Sequence, residues 1–205
     1  MDRSRLVALV DDPTPFLEDP DPAIRRLAAS SCATHTGDAA TVAALEHVLA
    51  FDPEPRVRAE AAEVLALAGP EVQESLLEHR STTNPAVAEA VATGLGEVES
   101  RAAVPWLIDA AASNDDRLVR EAAVAALGAI GDPRATRVLL DLAASGPPQV
   151  RRRAVVALTA FEGEAVQAAI GAAATDRNPM VREVAEMLVG RPIEGSQDRN
   201  PDRHH

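Results

Sequence analysis

Lysine and tyrosine are absent from this 205-residue chain, and the aromatic side chains number four: Phe16, Phe51, Trp106 and Phe161. A core without rings has to be built from Ala, Leu, Val and Ile packed at short separations. Cysteine occurs once, as Cys32, which excludes an internal disulfide framework and suits a reducing compartment, so a cytoplasmic location is expected. Near the N-terminus the apolar run is only Leu6–Val10 before Asp11–Asp12, too short for a signal-peptide core or a bilayer span. Neither export nor a membrane partner is expected. Basic charge is also scarce, since 20 Arg face 32 acids for a net charge of −12. Residues 1–100 hold 7 Arg against 18 acids, whereas 101–205 hold 13 against 14. Arg151–Arg152–Arg153 is the one basic cluster, a weak footprint for phosphate, and no nucleic-acid partner is expected.

What the chain does have is alanine, 42 residues of it, the best helix former. With 46% hydrophobic and 25% charged residues it can bury a sizeable core, which excludes wholesale disorder. One string recurs: Asp or Asn, usually Pro, a β-branched residue, usually Arg, then an Ala-rich stretch. Its anchors are Ile24–Arg25, Val57–Arg58, Val87–Ala88, Val119–Arg120, Val150–Arg151 and Val181–Arg182, separated by 33, 30, 32, 31 and 31 residues. Six copies fill residues 1–190, with 1–21 an irregular N-terminal cap interrupted by Pro13 and Pro15, and 191–205 expected as a disordered tail.

Counting from each anchor, position +4 reads Ala28, Ala61, Val91, Ala123, Ala154, Ala185, and position +8 reads Cys32, Leu65, Leu95, Leu127, Leu158, Val189. That spacing is one face of a helix. Asp21–Pro22, Asp52–Pro53, Asn84–Pro85 and Asn178–Pro179 each put a capping side chain before a proline at the first helical position, while Gly96, Gly131 and Gly190 mark helix ends. A second set of helices, such as Val42–Phe51, Val104–Ala112 and Arg134–Ala144, lies between. Each period is therefore two antiparallel helices, and stacked periods form an all-α, right-handed α-α superhelix of six hairpins.

The strings VRAEAAEVLALAGP (57–70) and VREAAVAALGAIGDPRA (119–135) resemble HEAT repeats of the phycobilisome-lyase-like type. The resemblance implies an armadillo-type solenoid and leaves function open, because the family includes scaffolds, chromophore-lyase subunits and a metal hydroxylase. In the deoxyhypusine hydroxylases, iron is held by His-Glu pairs directly after the anchor Arg. Here those places hold Ala59–Glu60, Glu121–Ala122, Arg152–Arg153 and Glu183–Val184, without a histidine, so no metal is expected. A DNA-acting reading, after the HEAT-like alkyl-base glycosylases, conflicts with the −12 charge.

The remaining polar signals have plain structural readings. The anchor Arg is expected to pair with turn aspartates such as Asp52, Asp115 and Asp116. Glu46–His47 and Glu78–His79 are out of register by two residues, a turn of about 200° on a helix, so they do not stack into a metal site. His204–His205 end the tail. Cys32 takes a core position, and Trp106 aligns with Ala44, Glu74 and Ala168, which suggests a half-covered outer surface. No GxSxG, Walker, GxGxxG or CxxC string occurs, and no catalytic, metal or cofactor residue is assigned.

The expected function is a non-catalytic scaffold or adaptor holding a protein or peptide in a concave groove, with a bilin-lyase-like subunit holding a chromophore as the alternative. On the second helix of each unit, positions +2 and +6 point about 180° to 220° away along the helix wheel and face the groove, away from the core stripe. Position +6 reads Ser30, Glu63, Thr93, Ala125, Val156, Met187, turning from polar to apolar. The expected contact floor is Ala125, Val156 and Met187, with Glu121, Arg152 and Glu183 at +2 setting orientation. Against it stands burial of Val156 and Met187 between neighbouring helices.

Overall fold

The computed structural model describes residues 2–190, and the tail reading over 191–205, His204–His205 included, lies outside the described residues. Twelve α-helices alternate with turns, and no strand occurs among the described residues. They run α1 Arg3–Asp11, α2 Pro22–Ser31, α3 Ala39–Phe51, α4 Pro55–Ala66, α5 Gln73–Glu78, α6 Pro85–Glu97, α7 Val104–Ser113, α8 Arg117–Ile130, α9 Thr136–Ser145, α10 Pro148–Ala157, α11 Glu164–Ala173 and α12 Pro179–Val189.

Helix starts follow local chemistry. Asp21, Asn84, Asp116 and Asn178 each accept a backbone N–H from the first turn of α2, α6, α8 and α12, satisfying donors that the helix itself leaves orphaned. Two expectations are corrected. Asp52–Pro53 does not open α4; Glu54 caps it and Pro55 is its first residue, which frees the Asp52 carboxylate for Arg25 and for the Glu54 N–H. Gly96 does not end α6, which continues to Glu97 and closes at Val98, followed by Glu99 at φ +50°. Gly131 and Gly190 do end α8 and α12, at φ +63° and +69°, where a side chain would be strained.

Helices pair in sequence into six hairpins, and α2, α4, α6, α8, α10 and α12 pack successively on one another. The odd-numbered helices touch one another far more sparingly, as α7 with α9 and α9 with α11. Closer spacing in one row than in the other bends a stack toward the closer row, so the even-numbered helices line the concave side. All six +4 residues are fully buried, and the buried side chains form one cluster from Leu9 to Ala185. Cys32 lies inside it; burial first, and the Asp12 charge second, push its thiol up to about 11, so it stays protonated and unreactive at neutral pH.

The inner row comes closest where side chains are smallest. A Cβ added to Gly96 on α6 would lie 2.7 Å from Ala126 Cα on α8, and one on Gly128 of α8 would lie 2.8 Å from Ala157 Cα on α10. At Gly94 the contact with Ala66 of α4 would be 3.3 Å. All three place position +9 of one inner helix against position +7 of the next. Gly96 is thus a close-approach residue, which explains a glycine inside a helix despite its entropic cost.

Candidate functional site

The groove is built from the faces of the inner helices opposite the core-facing 0, +4, +8 stripe, which is buried except at Ile24, partly covered, and Val189, exposed. Every +6 residue is exposed: Ser30, Glu63, Thr93, Ala125, Val156 and Met187. Val156 and Met187 are 44% and 61% exposed, so curvature does not bury them. At +2, Arg26, Arg152 and Glu183 are exposed, whereas Ala59, Glu89 and Glu121 are partly covered. The six residues expected to bind a partner therefore share the solvent-facing side of three consecutive inner helices, α8, α10 and α12.

Charge divides the groove into two stretches. Around α4 and α6 the carboxylates are crowded: partial burial, then Glu60, Glu89 and Glu97, raise the Glu63 carboxyl above its ordinary range, although the residue as a whole is exposed. Around α8 and α10 the charges are matched, because Glu121 pairs with Arg117 one turn away and lies 4.0 Å from Arg153 Nε of the next inner helix. Sequence reasoning missed both partners: Arg117 is the i,i+4 neighbour of Glu121 on α8, which the sequence could have shown, whereas the proximity of Arg153 depends on helix stacking. One core expectation is corrected at the C-terminal end: Val189, at +8, is 48% exposed, and Leu188 beside it is exposed too, because no further inner helix among the described residues packs over that face of α12.

The anchor arginines lie near the start of the inner helices. Arg25 forms a two-pronged ion pair with Asp52, and Arg151 does so with Asp176. Asp115 and Asp116, the other expected partners, form no ion pair among the described residues; Asp116 caps α8 instead. The Nε of Arg58 and of Arg120 is buried without a partner. The Asp176 carboxyl is held below its usual range, chiefly by the Arg151 hydrogen bond.

The histidines stand apart. His47 is exposed and tilted against Phe51 at 4.9 Å between ring centres, while His79 Nδ1 is 2.8 Å from the Ser75 carbonyl oxygen. Among the described residues no three His, Cys, Asp or Glu side chains are grouped so as to hold a metal. Trp106 is half-buried on α7 and lines a cavity of about 660 Å³ on the edge formed by the turns within hairpins. No helix among the described residues is long and apolar enough to cross a membrane.

Comparison with known proteins places this geometry. A family model described as HEAT repeats matches residues 10–82 and again 73–159. Among solved structures, the complex of CpcE and CpcF of phycocyanin lyase from Nostoc sp. PCC7120 is similar, at 22% identity over 74% of this chain and 99% of that one, with a TM-score of 0.62. An engineered protein from the Northeast Structural Genomics Consortium is similar at 19% identity over 88% and 95% of the two chains, TM-score 0.57. Human deoxyhypusine hydroxylase in complex with glycerol is a looser likeness, at 24% identity over 88% and 83%, TM-score 0.41. No curated protein matches the sequence. At these identities the likeness to solved structures shows the fold alone.

Proposed function

Since the chain belongs to the HEAT repeats, and such stacks present one continuous inner face, we propose that it is a non-catalytic scaffold that holds a protein or peptide in the C-terminal half of its groove. One observation carries this reading: the +6 row is solvent-exposed along its whole length and becomes apolar at Ala125, Val156 and Met187. Exposed apolar side chains beside the charges of Glu121, Arg152 and Glu183 have the usual anatomy of a protein-binding surface. A partner lays apolar side chains on that floor and is oriented by the three charges. The crowded carboxylates of the N-terminal half favour protein over nucleic acid, and the lone buried cysteine suits a cytoplasmic location.

The phycobilisome-lyase-like kind of HEAT repeat supports a second reading, a lyase-like subunit. Its support is the likeness to the phycocyanin lyase complex, itself an assembly of two proteins. The two readings separate experimentally. Val156→Asp combined with Arg152→Glu abolishes capture of the partner that the parent retains, while helicity and melting temperature stay nearly unchanged. Retained capture, or loss of folding, counts against the groove. Incubation with bilin or haem tests the other: a saturable absorbance change with defined stoichiometry replaces the scaffold reading by the lyase-like one.

A further inference from the structure

The anchor arginines and the turns they reach form a ladder with a missing rung. In the complete rungs, Arg25 Nε and Nη2 donate to Asp52 at 2.7 and 3.0 Å, and Arg151 Nε and Nη2 donate to Asp176 at 2.8 and 2.7 Å. Each carboxylate also accepts the backbone N–H two residues on, from Glu54 at 2.8 Å and Asn178 at 2.7 Å. Each arginine's Nη1 donates to a backbone carbonyl, of Asp19 or Gly146. These are planar sockets for one guanidinium.

Between the third and fourth units the arginine is missing and an asparagine takes the place of the aspartate. Asn114 stands at the register of Asp52 and Asp176 and accepts the Asp116 N–H at 2.9 Å in the same way. Ala88 stands where the sister units carry arginine. The cavity there is about 660 Å³, about twice the cavities beside Arg25 and Asp176, which are about 310 and 290 Å³. Thr82, Ala88 and Asn114 line it together with Trp106, Asp109, Asp115 and Asp116, and no cationic side chain does. None of the three aspartates is in an ion pair among the described residues. Trp is the side chain best suited to attract a cation to its ring, and the net negative charge draws a cationic group toward the cavity.

We propose that this cavity receives an arginine side chain of a partner protein, which completes the rung that Ala88 leaves open. Two observations beyond the carboxylates carry this: the greater width of the cavity where Ala88 stands, and the guanidinium that occupies the same register at Arg25 and Arg151. The site lies on the turn edge, away from the groove floor, so it stands or falls separately from the groove.

Trp106 is the only tryptophan and therefore an intrinsic reporter. The probe is the peptide acetyl-Gly-Arg-Gly-amide, with counterparts carrying citrulline, which is neutral and of the same shape, or lysine. The arginine peptide is expected to change Trp106 fluorescence saturably in roughly the millimolar range, as a single side chain should, with lysine several-fold weaker and citrulline silent. Asp109→Asn with Asp115→Asn weakens the response at least several-fold. Ala88→Arg fills the cavity, abolishes the response and raises the melting temperature. Equal responses to citrulline and arginine, no saturable response, unchanged binding in the double Asn variant, or an Ala88→Arg protein that is destabilised would each overturn the proposal.

Discussion

The outer junctions of the stack and its central ones are tied together differently. Where unit one meets two and five meets six, an arginine clamps an aspartate of the next turn, the partly covered Arg25 on Asp52 and the buried Arg151 on Asp176. The +9 and +7 residues at those junctions are Ala33 and Val64, and Thr159 and Leu188, none of them glycine. At the central junctions the clamp is missing: Thr82, Asn114 and Ser145 replace the aspartate, and Ala88 replaces one arginine. Those same junctions carry the close contacts of Gly94 with Ala66, Gly96 with Ala126 and Gly128 with Ala157. The clamp works at the N-terminal ends of the inner helices, through directional charge. The small-residue contact works toward their C-terminal ends, through short-range packing that a single methyl disrupts. One repeat fold is thus held by either device, and the junction that dispenses with the arginine has a wider cavity, about 660 Å³, than those beside Arg25 and Asp176, about 310 and 290 Å³.

The comparison breaks most severely at an outer clamp. Asp176→Ala leaves Arg151, only 2% exposed, buried without its counter-charge, and should cost about 3 kcal/mol in denaturant unfolding. Because the folded Asp176 carboxyl is lowered, its contribution is fully present above the unfolded value of about 4 and is lost as pH falls through the folded value. The variant should therefore lose stability less steeply than the parent in acid; parallel acid melts would dismiss the clamp. Next comes the central contact. Gly96→Ala would normally strengthen a helix, yet here the added Cβ meets Ala126, so a loss of about 2 kcal/mol is expected. Gly171→Ala in α11, with nothing within 4 Å, is the control and should gain about 0.5 kcal/mol. Equal signs for the two would refute close approach as the reason for Gly96.

Transplanting the outer device sharpens the contrast. Ser145→Asp puts a carboxylate at the clamp register opposite Arg120, whose Nε is buried without a partner, and should raise stability by about 1 kcal/mol. No gain in a calorimetric melt would mean that the central junctions are too differently spaced to accept a clamp. The smallest effect is expected in the groove. Ionised Glu63 is disfavoured in the fold, so Glu63→Gln should gain about 0.3 kcal/mol at pH 7, a gain that fades as pH falls through the raised carboxyl value and below about 4. A gain independent of pH would locate its cause elsewhere than in charge.

The period near 31 residues, the buried +4 stripe, the +8 stripe except for Val189, and most capping residues could be read from the chain alone, because they depend on contacts within one hairpin and on local backbone chemistry. Capping failed as a guide only at Asp52, where a long-range partner, Arg25, competes for the carboxylate that local preference would spend on the helix start. Gly96 was misread for a similar reason: the sequence shows a glycine near a helix end, but only the neighbouring helix shows what a side chain there would strike. The groove positions followed from helical periodicity, whereas their exposure depended on how far neighbouring helices close over one another. The absence of an arginine at Ala88 was visible in the alignment of the repeats. That the cavity beside Trp106, Asp109 and Asn114 is wider than the one beside Arg25 was decided by tertiary structure, which brings residues from α6, α7 and two separate turns around a space no single segment encloses.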